Sequence, residues 1–183
     1  MKNIFFFFVI AITSSCNAQN PVFSLDQNPN VIPDNCYFKD TNNVLNKFAG
    51  TWTFVQNNKT FTITLQKAEM VKLMSYYVDE LQGSFKYSSS DGLVFADTES
   101  LSGKASRLYG AMMWTDLNKL TIFFKDPDRP KVHGKVNLTY SNIGGVEKLD
   151  WKLYQTGVDY RMSDEPPFIQ GFKVPTDCVL VKQ

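Results

Sequence analysis

The stretch that decides the fold is GTWTFVQNNKTFTITL, residues 50–65. Trp52 and Phe54 alternate with threonines before a polar QNNK segment, and Phe61 and Ile63 alternate with threonines after it. Because successive side chains of a strand point to opposite faces of the sheet, this period of two predicts strands with one apolar and one threonine-rich face. Two such runs joined by a short polar turn predict a β-hairpin.

The same pattern continues to the end of the chain. Runs with strand composition recur about every ten residues, a spacing typical of all-β sandwiches and barrels. They cover residues 71–78, 83–87, 93–96, 106–114, 120–125, 131–140, 147–154 and 177–182. Since closure removes exposed strand edges, we expect an all-β, antiparallel up-and-down barrel of about eight to ten strands.

One short helix is predicted directly before the first strand. In DTNNVLNKFAG, residues 40–50, Asp40 or Thr41 can cap the start of a helix, and Val44 and Phe48 fall on one face. The glycine that ends this segment suits the left-handed residue after a helix.

The first residues indicate export. Lys2 is followed by an apolar run of nine residues, too short to span about 30 Å of hydrocarbon. Small residues before Cys16 resemble the lipobox of bacterial lipoproteins, in which this cysteine is acylated and residues 1–15 are removed. Alternatively, cleavage after Ala18 removes residues 1–18 and releases a soluble chain. We therefore expect a periplasmic protein or an outer-membrane-attached lipoprotein of a Gram-negative bacterium.

Behind this signal the chain has the size of one domain. Residues 19–39 are rich in Pro and Asn and predict an extended lead-in or tether, whereas residues 40–183 form the barrel domain. Hydrophobic residues make up 43% and charged residues 20% of the chain, which is typical of globular proteins. The net charge of +1 does not suit an electrostatic nucleic-acid binder, so we expect no nucleic-acid partner.

Processing of the leader leaves two cysteines. Cys36 and Cys178 form an even pair in an exported chain, which predicts a disulfide because the cell envelope is oxidising. The alternative is a small buried Cys178 in the last strand and a free Cys36 thiol in a loop.

Residues that carry catalysis are sparse. The one histidine, His133, lies in a strand candidate, and no Gly-x-Ser-x-Gly segment accompanies it. Carboxylate pairs leave a hydrolase as a remote alternative, because two carboxylates suffice for glycoside cleavage; they are Asp79-Glu80, Asp97-Glu99 and Asp126-Asp128. We expect no enzymatic activity, no cofactor and no metal, since zinc would need more nitrogen and sulfur ligands than the chain offers.

Aromatic side chains dominate the strand candidates. In a small barrel, inward side chains either fill the interior or line a cavity for one small ligand. The residues predicted to form this core or ligand cavity are Trp52, Phe54, Phe61, Ile63, Phe85, Tyr87, Trp114, Phe124 and Trp151. Trp52, at the start of the first strand, is expected to plug one end of the barrel beneath the short helix.

Two resemblances support this interpretation. Gly50-Thr51-Trp52 looks like the Gly-x-Trp signature of lipocalin and wider calycin barrels, which implies a lipocalin-like shape. The segments DNCYFKDTNN, residues 34–43, and PTDCVLVK, residues 175–182, are similar to a family of small exported proteins of unknown function from Bacteroidota-type bacteria. This second resemblance implies an envelope location and a single domain, and it supplies no catalytic residues.

Two functions follow from these expectations. The first is a lipid-anchored envelope barrel that binds a small apolar or amphipathic molecule without catalysis. The alternative is an envelope protein with a filled barrel, which uses exposed aromatic residues and the irregular segment 155–174 to contact another protein. The two differ in whether the barrel is hollow, and inward residues decide that only once strand number and shear are known.

Overall fold

The computed structural model describes residues 20–27, 29–159 and 171–183. Most of these residues lie in strands, which in chain order are β1 (Val22–Ser24), β2 (Tyr37–Lys39), β3 (Gly50–Gln56), β4 (Lys59–Leu73), β5 (Tyr76–Ser89), β6 (Val94–Asp97), β7 (Leu108–Met113), β8 (Lys119–Lys125), β9 (Val132–Ile143), β10 (Val146–Val158) and β11 (Asp177–Lys182). No helix within the described ranges has the length and apolar character needed to cross a membrane.

Eight of the strands in the described part of the chain close into a barrel. Its order is β3, β4, β5, β7, β8, β9, β10 and β11, and every neighbouring pair is antiparallel. β11 returns to β3 through the pair Val181 and Thr53, and β5 joins β7 at Leu81 and Gly110. The predicted all-β antiparallel barrel is thereby confirmed.

The period of two sorts side chains between the interior and the outer wall. Phe61 and Ile63 on β4 are fully buried. Thr62, between them, lies on the outer wall, where its hydroxyl is 3.4 Å from that of Thr53 on β3. The threonine-rich face of the predicted hairpin is therefore the outside of the barrel.

β4 and β5 extend past the barrel as a two-stranded arm, residues 66–80. β4 pairs with β3 only as far as Leu65, and β5 pairs with β7 only from Leu81. The predicted single strand over residues 71–78 is wrong, because the hairpin turn of the arm lies within it at Met74. Met74 has a φ of 47°, in the left-handed region that a methionine seldom adopts, so composition gave no turn signal.

The predicted short helix is reduced to one turn of 3-10 helix, Val44–Lys47. The Asp40 carboxylate accepts hydrogen bonds from the backbone N–H groups of Val44 (2.7 Å) and Leu45 (3.0 Å). These bonds satisfy donors that a helix start leaves free. The described residues contain one other helical turn, also 3-10, at Gly103–Ala105.

The lead-in supplies two short strands to the arm. β2 lies parallel to β5, with Tyr37 opposite Tyr77, and β1 lies parallel to β2, with Val22 opposite Tyr37. The backbone N–H of Tyr37 also donates to the carbonyl of Pro21 (2.8 Å). The two strands of the lead-in, β1 and β2, are thus fastened along one edge of the arm.

Two expectations fall partly or wholly outside the described residues. The leader, with Cys16, is one of them. The other is the irregular segment 155–174, of which residues 160–170 are not described. In the described part, β10 continues to Val158, and residues 171–176 lead into β11.

The predicted disulfide between Cys36 and Cys178 is absent, and both residues are free thiols. Cys36 is fully buried with Phe38 and Val78 in a small cluster beside the arm. Cys178 is buried in the barrel core, where loss of hydration, with a smaller effect of the charge on Asp177, raises the pKa of its thiol to about 12. Because separate apolar clusters hold the two thiols, a bond between them would require one to leave its packing.

Candidate functional site

The residues predicted to form a core or ligand cavity divide between the interior and the outer wall. Six of the nine are fully buried in the barrel core: Trp52, Phe61, Ile63, Phe85, Phe124 and Trp151. Phe54 and Tyr87 are half-buried and pack against that core. Trp114 lies outside, with 45% of its surface exposed.

Aromatic rings meet across the middle of the barrel. The ring centroids of Phe61 on β4 and Trp151 on β10 are 5.2 Å apart, and those of Phe85 and Phe124 are 5.0 Å apart. Phe124 and Trp151 join the two pairs at 6.2 Å. These are contact distances for aromatic rings, so side chains occupy the middle of the interior.

Trp52 lies at one end of this core. Its indole Nε1 donates to the carbonyl of Phe48 (2.9 Å), directly after the 3-10 turn, and its ring packs edge-on against Tyr140. Lys182 lies over the same ring, with Nζ 5.3 Å from its centroid. Trp52 is fully buried, in the position expected of a plug.

Phe172 covers the core from the opposite end. Its ring centroid is 5.2 Å from that of Phe124. Gly134 faces it, and a Cβ on that glycine would lie 2.9 Å from the Phe172 ring. The absence of a side chain at Gly134 therefore lets Phe172 pack onto the aromatic layer.

Two of the predicted carboxylate pairs take part in turns and ion pairs. Asp97 and Glu99 both contact Lys86, at 3.3 and 2.9 Å. Asp126 accepts the backbone N–H of Asp128 (3.0 Å) within a turn. Within the described ranges, no group of three or more His, Cys, Asp or Glu side chains is placed to hold a metal ion.

Asp79 of the third pair is fully buried at the base of the arm. Its carboxylate accepts hydrogen bonds from the Tyr37 hydroxyl and from the backbone N–H groups of Asp40 (2.9 Å) and Met70 (3.1 Å). Burial, followed by the bond to Asp79, raises the pKa of Tyr37 above its usual range. The hydrogen bonds of Asp79 to Tyr37 and Asp40 thus fasten the lead-in to the arm. The neighbouring Glu80 points to the other face of β5, and burial raises the pKa of its carboxyl.

His133 is exposed on β9, at the outer wall. Its Nε2 lies 2.5 Å from the Asp159 carboxylate just beyond β10. The pair joins two neighbouring strand ends on the surface.

The outer wall carries four aromatic residues where β7 to β10 run side by side. We call Tyr109, Trp114, Phe123 and Tyr154 the aromatic strip. Tyr109 and Phe123 are stacked, with centroids 5.3 Å apart, while Tyr154 is 42% exposed. A lysine ammonium lies against each of the first three rings, at 4.8 to 5.8 Å from the centroid: Lys125 on Tyr109, Lys119 on Trp114 and Lys135 on Phe123.

A chain of hydrogen bonds fixes Trp114 and Tyr154 to one polar floor. The indole Nε1 of Trp114 donates to the Thr121 hydroxyl (2.9 Å), which donates to Oδ1 of Asn137 (2.8 Å). The hydroxyl of Tyr154 donates to the same Oδ1 (3.4 Å). Two exposed aromatic residues are therefore held in place before any partner arrives, which lowers the entropy lost on binding.

Trp114 stands between two grooves. One groove has a volume of about 370 Å³, and Thr121 forms its floor. Trp114, Tyr154 and Lys135 are among the residues that line it. The other, of about 520 Å³, lies between Trp114 and the lead-in at Leu25. We call these two grooves together the Trp114 cleft. Its mixture of fixed aromatic, apolar and polar side chains suits a binding site.

A β-bulge explains why Trp114 is outside the barrel. Tyr109 faces out, and side chains alternate along a regular strand. Trp114, five positions later, would therefore face into the barrel. The register of β7 against β8 shifts between Tyr109 and Met112, and the extra residue reverses the alternation. The outward position of Phe123 was also not predicted. It could have been inferred from its neighbour Phe124, which was predicted to face the core, because adjacent strand residues point to opposite faces.

Comparisons with known proteins place the whole chain in one family. Curated proteins gave no match, and neither did solved structures. The model of a family of unknown function, DUF6705, matches residues 1–183. The chain therefore belongs to that family.

Proposed function

We propose that this chain is a lipid-anchored protein of the bacterial envelope that binds another protein, without catalysis, through the outer wall of a filled barrel. The contact between Phe61 and Trp151 carries this proposal, because rings that meet across the barrel take up the space a small ligand would need. Of the two functions considered from the sequence, this contact favours the protein-binding one.

The Trp114 cleft supplies the binding surface. Exposed Trp and Tyr residues are enriched where proteins bind partners, since they offer large apolar faces with few rotatable bonds. Trp114 and Tyr154 meet this description, and their hydrogen bonds to Thr121 and Asn137 hold the two side chains in fixed positions on the wall. Lys135 in the cleft favours a partner with a carboxylate near its apolar contact residue.

Site-specific photocrosslinking in the native host tests this proposal. A photoreactive phenylalanine analogue at Trp114 or Tyr154 should give discrete adducts of higher mass. The same analogue at Val55, which is 66% exposed at the far end of β3, is the matched control. Equal labelling at all three positions, or no adduct at Trp114 and Tyr154, would contradict the proposal.

Native mass spectrometry of protein purified from that host separates the two functions. We expect the unmodified mass apart from an acyl group on Cys16. A retained small molecule that survives Trp114→Ala but is lost on changes in the barrel core would favour the small-ligand function instead. Soluble protein that begins at Gln19 would overturn the lipid anchor.

A further inference from the structure

The end of the arm exposes apolar side chains from two segments of the chain. We call these residues the apolar tip: Met74 (97% exposed), Val31 (78%), Val22 (59%), Ile32 (46%) and Leu73 (37%). The backbone N–H of Asn35 donates to the carbonyl of Ser75, which brings the loop that holds Val31 and Ile32 against the hairpin turn. Several exposed apolar side chains at one end of an element are typical of an interaction site.

Tyrosines follow directly behind the apolar tip. Tyr37, Tyr76 and Tyr77 are half-buried around the arm, with Tyr37 paired to Tyr77 across β2 and β5. Between residues 70 and 78 the only charged side chain is Lys72, whose Nζ lies 5.9 Å from the ring centroid of Tyr77. Lys72 lies opposite Tyr77 in the pairing of β4 with β5. An apolar end with aromatic residues and a lysine together behind it is an arrangement that side chains adopt at a membrane interface.

The described chain begins at this same end. Pro21 is hydrogen-bonded to Tyr37 beside the arm, and four peptide links separate Asn20 from Cys16. Even fully extended, four residues span at most about 14 Å. An acyl group on Cys16 would therefore enter a membrane close to the apolar tip.

We infer that the apolar tip inserts into the interfacial region of the lipid bilayer and orients the barrel on the membrane surface. The inference rests on the proposed lipid anchor for its location, while the apolar tip itself is a feature of the described residues. The opposite ends of β3 and β4, at the turn that follows Val55, then point away from the bilayer. A lipid anchor alone leaves a protein free to rotate, and a second apolar contact removes that freedom.

Quenching by brominated lipids tests the inference. Full-length protein processed in the host is reconstituted with vesicles of phosphatidylethanolamine and phosphatidylglycerol that carry bromine on their acyl chains. Met74→Trp and Val31→Trp place a fluorophore in the apolar tip, and Val55→Trp is the control at the far end. After subtraction of the wild-type signal, we expect quenching at least about twofold greater at the tip positions than at Val55, as for a side chain buried 5–10 Å into the interface.

The two proposals fail in different ways. If mass spectrometry finds the N-terminal peptide without an acyl group, the lipid anchor is overturned. The inference about the apolar tip still stands in that case if the added protein binds vesicles and the tip positions are quenched. Quenching no stronger at both tip positions than at Val55 overturns the inference, whether or not the protein is acylated. Two tip variants are used because Met74 has a positive φ and a large side chain there could disturb the turn.

Discussion

The rings of Phe61 and Trp151 pack edge-on across the barrel, with 5.2 Å between their centroids, although they come from β4 and β10. Phe61→Ala removes a side chain that contacts both Trp151 and Phe85. We expect it to lower the free energy of unfolding by about 3–5 kcal/mol in a urea titration, the range for a buried phenylalanine. The variant should also bind benzene, since an engineered apolar cavity stays dry.

Val55→Ala is the matched control for that change. Val55 is 66% exposed on β3, next to the strand that carries Phe61, and its truncation should change stability by less than about 0.5 kcal/mol. Benzene binding by the wild-type protein with an affinity like that of Phe61→Ala would show that the barrel is hollow.

Trp52→Ala should be equally destabilising, by about 3–5 kcal/mol, because Trp52 is fully buried between the 3-10 turn and Tyr140. Trp52→Phe keeps most of the apolar contact but leaves the Phe48 carbonyl without its indole donor. We expect it to cost about 1–3 kcal/mol, measured in the same urea titration. An alanine variant within about 1 kcal/mol of wild type would mean that Trp52 does not plug the barrel.

The strands of the barrel were predictable because their signal is local. Alternation around Trp52, Phe61 and Ile63 depends only on the period of a strand, and the barrel follows from repeating it. The position of Trp114 depends instead on the extra residue in β7, and the turn at Met74 depends on a positive φ that methionine seldom adopts. Both are set by the packing of the whole barrel and arm rather than by neighbouring residues.

The site was harder to predict than the fold for the same reason. The aromatic residues of the strip were visible in the sequence, but their partners come from different strands. Thr121 and Asn137, which hold Trp114 and Tyr154, lie 16 positions apart in the chain and became relevant only through the register of β8 and β9. The disulfide was predicted from an even count of cysteines, which says nothing of where the fold places them.

Cys36 and Cys178 should both resist iodoacetamide in the native protein at pH 8. Cys36 is fully buried, and the pKa of Cys178 is raised to about 12, so almost none of it is thiolate at that pH. In urea without a reductant, both should be alkylated, as peptide mass spectrometry can show. Recovery of a linked Cys36–Cys178 peptide would contradict the structure.

Glu147 should contribute to stability in a way that depends on pH. Its carboxylate accepts bonds from Lys182 Nζ (2.8 Å) and the Tyr140 hydroxyl (2.7 Å), and the first of these is the main cause of its lowered pKa. A carboxyl with a lower pKa in the folded state stabilises the fold above its unfolded pKa, and this stabilisation is lost as the pH falls through the folded pKa.

Glu147→Gln should therefore unfold at a lower urea concentration than wild type at pH 7. The difference should begin to shrink as the pH falls below about 4.3, the usual pKa of glutamate in an unfolded chain, and should be lost as the pH falls through the lower pKa of the folded state. Glu69→Gln, on the exposed side of the arm, controls for the loss of one negative charge. A difference between wild type and Glu147→Gln that stays constant from pH 7 to pH 3 would argue against a role for this charge.

Asp79→Ala should release the lead-in before the barrel unfolds. The change leaves three donors at the base of the arm without their acceptor, namely the Tyr37 hydroxyl and the backbone N–H groups of Asp40 and Met70. An unsatisfied buried donor costs about 1–3 kcal/mol, and the backbone N–H of Asp40 is such a donor. Two strands of three residues, β1 and β2, cannot offset this cost. Hydrogen exchange should accelerate for amides of β1 and β2, while those of β8 and β9 keep their wild-type protection.

Two further variants separate this role of Asp79 from a general loss of stability. Tyr37→Phe removes one of the three donors and leaves Asp79 its two backbone partners, so we expect a smaller acceleration confined to the same strands. Asp26→Ala, at an exposed position of the lead-in, should leave exchange unchanged. If Asp79→Ala instead accelerated exchange equally in β2 and β8, the carboxylate would support the barrel as a whole. The lead-in would then unfold with the barrel as one cooperative unit, since local release requires that the contacts at Asp79 be separable from the core.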